Sequence, residues 1–227
     1  MFRALLLIPA LSAVIAFALK HHGLRRSLLV AAAAANLAAA LSVWMFPHVP
    51  REGAWLGLDA PATLFTTITA ILFFLASIYA YGYLKAESAR GVRKDPEEGF
   101  LWKNVPEAAF TACLLLLLAA MNLTIMSLHL GMLWVAIEAT TFAGAPLIYF
   151  HRHHRSLEAT WKYLLICTVA VALAMLGNYF LAAASMRSGI VIHLTVDDLR
   201  IHASRLDPAW LKAAFLLFLV GYGAKMG

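Results

Sequence analysis

The sequence predicts an all-α polytopic membrane protein that forms one transmembrane domain over residues 1–227. Hydrophobic residues make up 63% of the chain and charged residues only 13%, whereas about a quarter of a soluble domain is charged. The mean hydropathy is +0.79. The apolar residues also fall into separate stretches of about 20 residues, the length that crosses a bilayer core of about 30 Å. Together these observations exclude an ordinary soluble domain and predict about seven transmembrane helices.

The basic charge does not indicate nucleic acid. The formal net charge is +6 and the pI is about 9.5, but the Lys and Arg residues lie in short loops between apolar stretches. Retention of positive charge in cytoplasmic loops explains this distribution. Cys113 and Cys167 lie inside apolar stretches without CxxC spacing, which argues against a disulfide framework or a thiolate metal site.

Residues 4–19 form the first apolar stretch, which could be a signal peptide or a retained helix, and AFA near its end resembles a cleavage site. Only Arg3 precedes the stretch, whereas Lys20, Arg25 and Arg26 follow it. This asymmetry favours a retained helix with its N-terminus outside the cell.

The next two spans are predicted over residues 27–46 and 58–84. The first is rich in alanine, which lets membrane helices pack closely. Asp59 precedes the other, where a carboxylate can cap free backbone N–H groups. Residues 85–104 form the longest polar stretch and are predicted to be a cytoplasmic loop.

The later spans are predicted from long apolar stretches and helix-start signals. Pro106 and Glu107 mark the start of the fourth span. The connection before the last span is mixed in charge and is predicted to contain a short strand or an interfacial helix. The four predicted spans cover residues 105–126, 129–150, 158–185 and 208–227.

Glu138 lies near the middle of the fifth span, in LWVAIEATT. With about ten apolar residues on either side, it is predicted about 15 Å from each surface of the hydrocarbon core. An ionised Glu there costs about 2.5–3.5 kcal/mol on insertion scales unless it faces protein, a partner or water. The pattern favours a functional carboxylate, with a protonated Glu in an interhelical hydrogen bond as the alternative.

Two lysines also lie within predicted spans. Lys162 is about one turn from the inner end of the sixth span, where an interfacial position and a functional role are both open. Lys225 lies about 17 residues into the last span, shortly after Gly221 and Gly223. The glycines predict that this helix unwinds at depth and exposes backbone groups to a cavity.

The loop HRHHR contains His151, His153 and His154 with two arginines. A basic cluster at a cytoplasmic helix end is expected from topology alone, so the pattern does not favour a metal site. Collection of protons at this surface is a second, unspecific interpretation.

The segments LWVAIEATT, SLEATWKYLL and GYGAKMG together resemble the antiporter-like, proton-translocating subunits of complex I and of group 4 hydrogenases. The greatest likeness is to the F-type membrane subunits of hydrogenase-4. The resemblance extends over essentially the whole chain but only over the N-terminal portion of that family's fold. The sequence is therefore expected to be part of a longer protein.

The resemblance implies that Glu138 and Lys225 form a buried pair that couples redox energy to proton transfer, and that Lys162 is a less certain further site. The chain would be a non-redox subunit of a hydrogenase-4-like or NADH dehydrogenase-like complex in the inner (cytoplasmic) membrane. Its partners would be other membrane and redox subunits, and not nucleic acid. We expect no cofactor in this chain, since it has no CxxC series, GxGxxG or phosphate loop.

Three other functions are weighed against this one. A subunit of an Mrp-type cation/proton antiporter would share the glutamate and the lysine, although EATT and KYLLIC favour the hydrogenase-like side. A membrane cytochrome would need facing histidine pairs within spans, but most of the nine histidines lie in loops. A structural scaffold would use the buried charges only to fix the helix register.

Overall fold

The computed structural model describes residues 2–45, 51–52, 55–89, 93–94, 101–102 and 104–226. Within this part the chain is almost entirely helical. The helices are α1 Phe2–Ala18, α2 His22–Val43, α3 Ala60–Ser88, α4 Glu107–Met126, α5 Leu130–Ile148, α6 His154–Arg187, α7 Val196–His202 and α8 Pro208–Met226, with a 3-10 turn at Ala203–Arg205. Two short antiparallel strand pairs are β1 Arg51–Glu52 with β2 Leu56–Gly57, and β3 Arg93–Lys94 with β4 Leu101–Trp102.

The long helices confirm a multi-pass membrane protein. Helices α2 to α6 and α8 are six candidate spans, each long and apolar enough to cross a bilayer. Helix α1 is a seventh apolar helix and is shorter, with 17 residues. The short helix α7 lies in the connection before α8. The sequence predicts either a short strand or an interfacial helix in this connection.

Helix α2 begins five residues earlier than predicted, so Arg25 and Arg26 lie inside it and are buried. The Arg25 guanidinium donates to Ala16 O at 3.0 Å and also to Leu19 O. Ala16 lies in the last turn of α1, where carbonyl groups have no partner within the helix, and Leu19 directly follows the helix. The connection between α1 and α2 is therefore shorter and more ordered than a charged loop.

Capping side chains determine where two other helices begin. Asp59 Oδ1 accepts a hydrogen bond from Ala62 N at 2.8 Å, which confirms the predicted cap of α3. Helix α6 begins four residues earlier than predicted because His153 caps it: His153 Nδ1 accepts from Arg155 N, and Ser156 Oγ accepts from His153 N.

Helix α8 is continuous from Pro208 to Met226, so the prediction that it unwinds at its glycines is wrong over this range. Gly221 instead lies against α6. A Cβ at this position would lie 2.6 Å from Ala170 O and 2.7 Å from Ala174 N. The glycine therefore allows two helix backbones to approach closely.

Helix α5 lies between two groups of packed helices. Helices α1 to α4 form one group, α5 packs against α4 and α6, and α6 packs along α8. Buried apolar side chains fill the first group, including Leu29, Leu115 and Leu118. Leu181 and Ala214 belong to the core between α6 and α8.

Backbone hydrogen bonds hold both ends of α5. At its start, Leu128 N donates to Trp55 O at 2.8 Å and Leu130 N donates to Leu194 O at 2.9 Å. At its far end, Phe150 O accepts from Val105 N at 2.8 Å. Helix α5 is thus fixed to the segments before α3, α4 and α7.

Candidate functional site

Glu138 lies near the middle of α5 and is half-buried. Among the described residues, its Oε2 atom is buried without a hydrogen-bond partner. Thr168 of α6 lies beside the carboxyl group. One turn before Glu138, Trp134 Nε1 donates to Val171 O at 2.8 Å. This bond fastens α5 to α6 next to the carboxyl group.

Lys225 approaches the same region from the last turn of α8. Its Nζ donates a hydrogen bond to Thr141 Oγ1 of α5 at 2.6 Å. It also lies 5.4 Å from the ring centroid of Tyr163 on α6, within the distance of a cation–π interaction. Three helices therefore surround the ammonium group.

The structure brings Lys225 to the face of α5 that carries Glu138, since Thr141 follows Glu138 by three residues and shares its face. The side chains of Glu138 and Lys225 are close enough for a charge on one to influence the other. In the described part of the chain, however, the ion pairs within 4 Å do not include these two residues. A direct Glu138–Lys225 pair therefore stays a prediction.

An open cavity of about 530 Å³ adjoins Lys225. Most of its wall is apolar, but hydroxyl groups from several helices also face it. Such a mixed cavity has room for several water molecules, which need polar partners to stay ordered. The polar lining residues are Thr69, Thr124, Thr140, Tyr163, Tyr222 and Lys225.

Lys162 is not part of this site. Its side chain is 69% exposed and forms an ion pair with Glu158, one turn earlier on α6. The neighbouring Tyr163 points towards Lys225, so Lys162 lies on a different face of the helix. A role for Lys162 in proton transfer stays a prediction without contacts to Glu138 or Lys225.

Neither Thr141 as an acceptor for Lys225 nor Tyr163 as its neighbour is predictable from the sequence. Threonine and tyrosine are common in membrane helices, and the two residues lie on different helices. The position of Thr141 after Glu138 and that of Tyr163 after Lys162 do not form a sequence motif that predicts contact with Lys225. Only the packing of α5, α6 and α8 shows that they meet.

A second polar cluster lies at the predicted cytoplasmic ends of the helices. Arg26 Nε donates to Glu107 Oε1 at 2.7 Å, and Arg26 Nη2 donates to Glu107 Oε2 at 2.8 Å. The two side chains are 9% and 7% exposed. His22 Nδ1 also donates to Glu107 Oε2 at 2.8 Å. In the sequence, Glu107 is visible only as a helix-start signal.

A hydrogen-bonded chain beside this cluster involves one histidine of the HRHHR loop. His151 Nδ1 donates to Asn104 Oδ1 at 2.9 Å, and Asn104 Nδ2 donates to Glu87 Oε1 at 3.0 Å. His151 Nε2 lies 3.2 Å from the Tyr83 hydroxyl. These bonds connect α3, the start of α4 and the end of α5. In the described part of the chain, no group of three His, Cys, Asp or Glu is placed to hold a metal ion.

The chain is similar in sequence to a hydrogenase component. It is 29% identical, over 178 residues, to a hydrogenase-4 component F homologue of Methylacidiphilum infernorum. This similarity covers 77% of the chain and 35% of the relative. No family model matches the chain.

Solved structures of respiratory membrane complexes share the fold. A chain in respiratory complex I from Thermus thermophilus, with bound aureothin, superimposes with a TM-score of 0.71 at 20% identity, covering 98% of this chain and 43% of that one. A chain in the membrane-bound sulfane sulfur reductase, an archaeal respiratory membrane complex, gives 0.77 at 19% identity, covering 97% and 43%.

The chain thus spans less than half the length of these relatives. The matched helices nevertheless include nearly all of this chain. The resemblance predicted from the three segments around Glu138, Lys162 and Lys225 is thus confirmed, since the chain is similar in sequence to a hydrogenase-4 component F homologue and shares its fold with chains of respiratory membrane complexes.

Proposed function

We propose that this chain translocates protons as a membrane subunit of a hydrogenase-like or NADH-quinone oxidoreductase complex. Glu138 and Lys225 would transfer the protons, while the redox chemistry would lie in other subunits. The observation that carries this proposal is the position of the Lys225 ammonium. It lies between α5 and α6 and donates a hydrogen bond to α5, the helix that carries Glu138.

The mechanism follows from how charges behave in a poorly solvated interior. Burial favours the neutral form of a carboxyl or an amino group, and an opposite charge nearby favours the charged forms. A Glu138 carboxylate close to Lys225 therefore keeps the ammonium protonated. When the two move apart, the ammonium can release its proton into the adjoining cavity. Movement of one lysine side chain would thus control the release of a proton.

The assembly is also a proposal. The named relatives are a hydrogenase component and chains of respiratory membrane complexes, so the partners would be other membrane and redox subunits. The complex would lie in the inner (cytoplasmic) membrane, with the N-terminus of this chain outside. These relatives do not favour the Mrp-type antiporter. Proton transport that depends on sodium ions would support that alternative.

The test is proton pumping by the intact complex in liposomes. We expect Glu138→Gln and Lys225→Ala each to reduce the protons moved per electron by at least about tenfold, because each removes a group that must change its charge. Assembly of the complex should be retained. Lys212→Ala is the matched control, since Lys212 is an exposed lysine on the same helix. Normal pumping by both test variants would contradict the proposal and favour a structural scaffold.

A further inference from the structure

The Lys225 ammonium has a defined position that does not use the Glu138 carboxylate. Thr141, which accepts its hydrogen bond, is fully buried at 0% exposure. Lys225 is half-buried, and the part of its ammonium that leaves water needs acceptors in place of the lost water shell. The Thr141 hydroxyl donates to Ile137 O within α5, and this leaves its lone pairs for Lys225. Thr141 therefore replaces water rather than a counter-charge.

Tyr163 completes this position from the side of α6. Its ring lies under the ammonium at 5.4 Å, and its hydroxyl lies against Gly144 of α5. A Cβ at Gly144 would lie 3.3 Å from the Tyr163 hydroxyl oxygen. Gly144 follows Thr141 by three residues on the same face of the helix. The glycine thus gives the ring room to lie beside Thr141.

The position competes with the attraction of the nearby carboxyl group. Glu138 Oε2 is buried and has no hydrogen-bond partner among the described residues. It lies on the same face of α5 as Thr141 and acts electrostatically on Lys225. An ammonium freed from Thr141 would be drawn to this unpaired oxygen. The hydrogen bond to Thr141 and the ring of Tyr163 oppose that movement.

We propose that Thr141 and Tyr163 form a docking position for the Lys225 ammonium that holds it apart from Glu138. The two residues are positioning residues, since they act through Lys225. This inference rests on the proposed function of Glu138 and Lys225. Proton transfer would require the lysine to leave this position for Glu138 and to return, so the strength of the docking sets how often the pair forms.

The test compares substitutions that differ by one group, in the intact complex in liposomes. Thr141→Val keeps the shape of the side chain and removes the acceptor, whereas Thr141→Ser keeps the acceptor. We expect Thr141→Val to lower proton pumping per electron by about tenfold, the effect of losing one hydrogen bond to a charged group. Thr141→Ser should retain most of the wild-type pumping.

The matched control is Thr140→Val. Thr140 is the adjacent residue and its hydroxyl donates to the same Ile137 O at 2.7 Å. It lines the cavity, but its hydroxyl is not the acceptor of Lys225. This variant removes a hydroxyl from the cavity wall but not the acceptor of Lys225, so it should lose less pumping than Thr141→Val. Tyr163→Phe keeps the ring face under the ammonium, so it should lose less pumping than Tyr163→Leu, which removes the ring.

A second measurement separates a positioning role from a structural one. The infrared carbonyl signal of Glu138 is identified by its loss in Glu138→Gln. In Thr141→Val the ammonium should settle on Glu138, so the carboxylate part of this signal should increase. Thr140→Val should leave it unchanged.

Three results would overturn the inference: normal pumping by Thr141→Val, equal losses in Thr141→Val and Thr141→Ser, or equal losses in Thr141→Val and Thr140→Val. If Thr141→Val prevents assembly, the Tyr163→Phe and Tyr163→Leu comparison decides, and equal pumping by these two variants overturns the docking position. Failure of the proposed function looks different, because Glu138→Gln and Lys225→Ala would then pump normally.

Discussion

At the scale of single residues, burial decides what each charge contributes. Arg26 and Glu107 are nearly excluded from solvent and form two parallel hydrogen bonds, the geometry that makes guanidinium–carboxylate pairs strong. Lys162 and Glu158 also form a pair of opposite charges, but this pair lies on an exposed helix face. Exposed pairs contribute little because water and ions screen them. The two pairs should therefore respond differently to substitution.

We expect Arg26→Met to lower the free energy of unfolding by about 3–5 kcal/mol, since it leaves the Glu107 carboxylate buried with only His22 as a charged partner. The measurement is denaturant or thermal unfolding of the purified protein in detergent. Lys162→Met is the matched control and should leave the unfolding midpoint unchanged. Equal destabilisation by the two variants would show that burial of the Arg26–Glu107 pair does not matter.

At the scale of helices, the contact between α6 and α8 fixes where Lys225 lies. Gly221 is buried in that contact, one turn before Lys225. The backbone of α6 passes so close to Gly221 that no side chain fits between the helices. Gly177 of α6 makes the reciprocal contact, since a Cβ there would lie 2.8 Å from the ring of Phe218. The close approach of the two helices thus brings the lysine within reach of Thr141.

Gly221→Ala should separate α6 from α8 and lower the free energy of unfolding by about 1–3 kcal/mol, the usual cost of overpacking. It should also reduce proton pumping, because Lys225 moves away from Thr141. Gly223→Ala is the control on the same helix, since nothing lies within 4 Å of a Cβ at that position. Thermal unfolding of both variants checks the prediction, and a Gly221→Ala variant as stable as Gly223→Ala would refute it.

At the scale of the whole molecule, the distribution of charge predicts how the helices cross the membrane. The connections after α1, α3 and α5, together with the helix ends beside them, carry most of the 18 Lys and Arg residues, so this side of the bundle should face the cytoplasm. Arg26, Glu107 and His151 lie at this end of the bundle. The connections that hold the start of α5 lie at the opposite end. The polar clusters at the helix ends would then face the cytoplasm.

Cysteine labelling of whole cells tests this orientation. Ser204→Cys, on the exposed connection before α8, should react with a membrane-impermeant thiol reagent added outside. Arg155→Cys, exposed at the start of α6, should react only after permeabilisation. The chain without added cysteines is the control, since Cys113 and Cys167 lie within membrane helices. The reverse labelling pattern would place the N-terminus in the cytoplasm.

Composition and the order of residues determined the class of the protein, the approximate number of membrane spans and the candidate charges. They could do so because the hydrophobic length that a bilayer demands is a local property of the chain. The same holds for an isolated carboxylate such as Glu138 within an apolar stretch, which is visible without knowledge of its neighbours. Asp59 as a helix cap was predictable for the same reason, since its partner is three residues away.

The tertiary structure alone decided what each polar group contacts. The bond from Lys225 to Thr141 joins residues 84 positions apart, and the bond from Arg26 to Glu107 joins residues 81 apart. No local pattern records such distances, because they depend on which face each helix turns to its neighbour. The glycines of α8 show the same limit: in sequence they are typical of a broken helix, yet packing against α6 makes Gly221 a site of close helix contact.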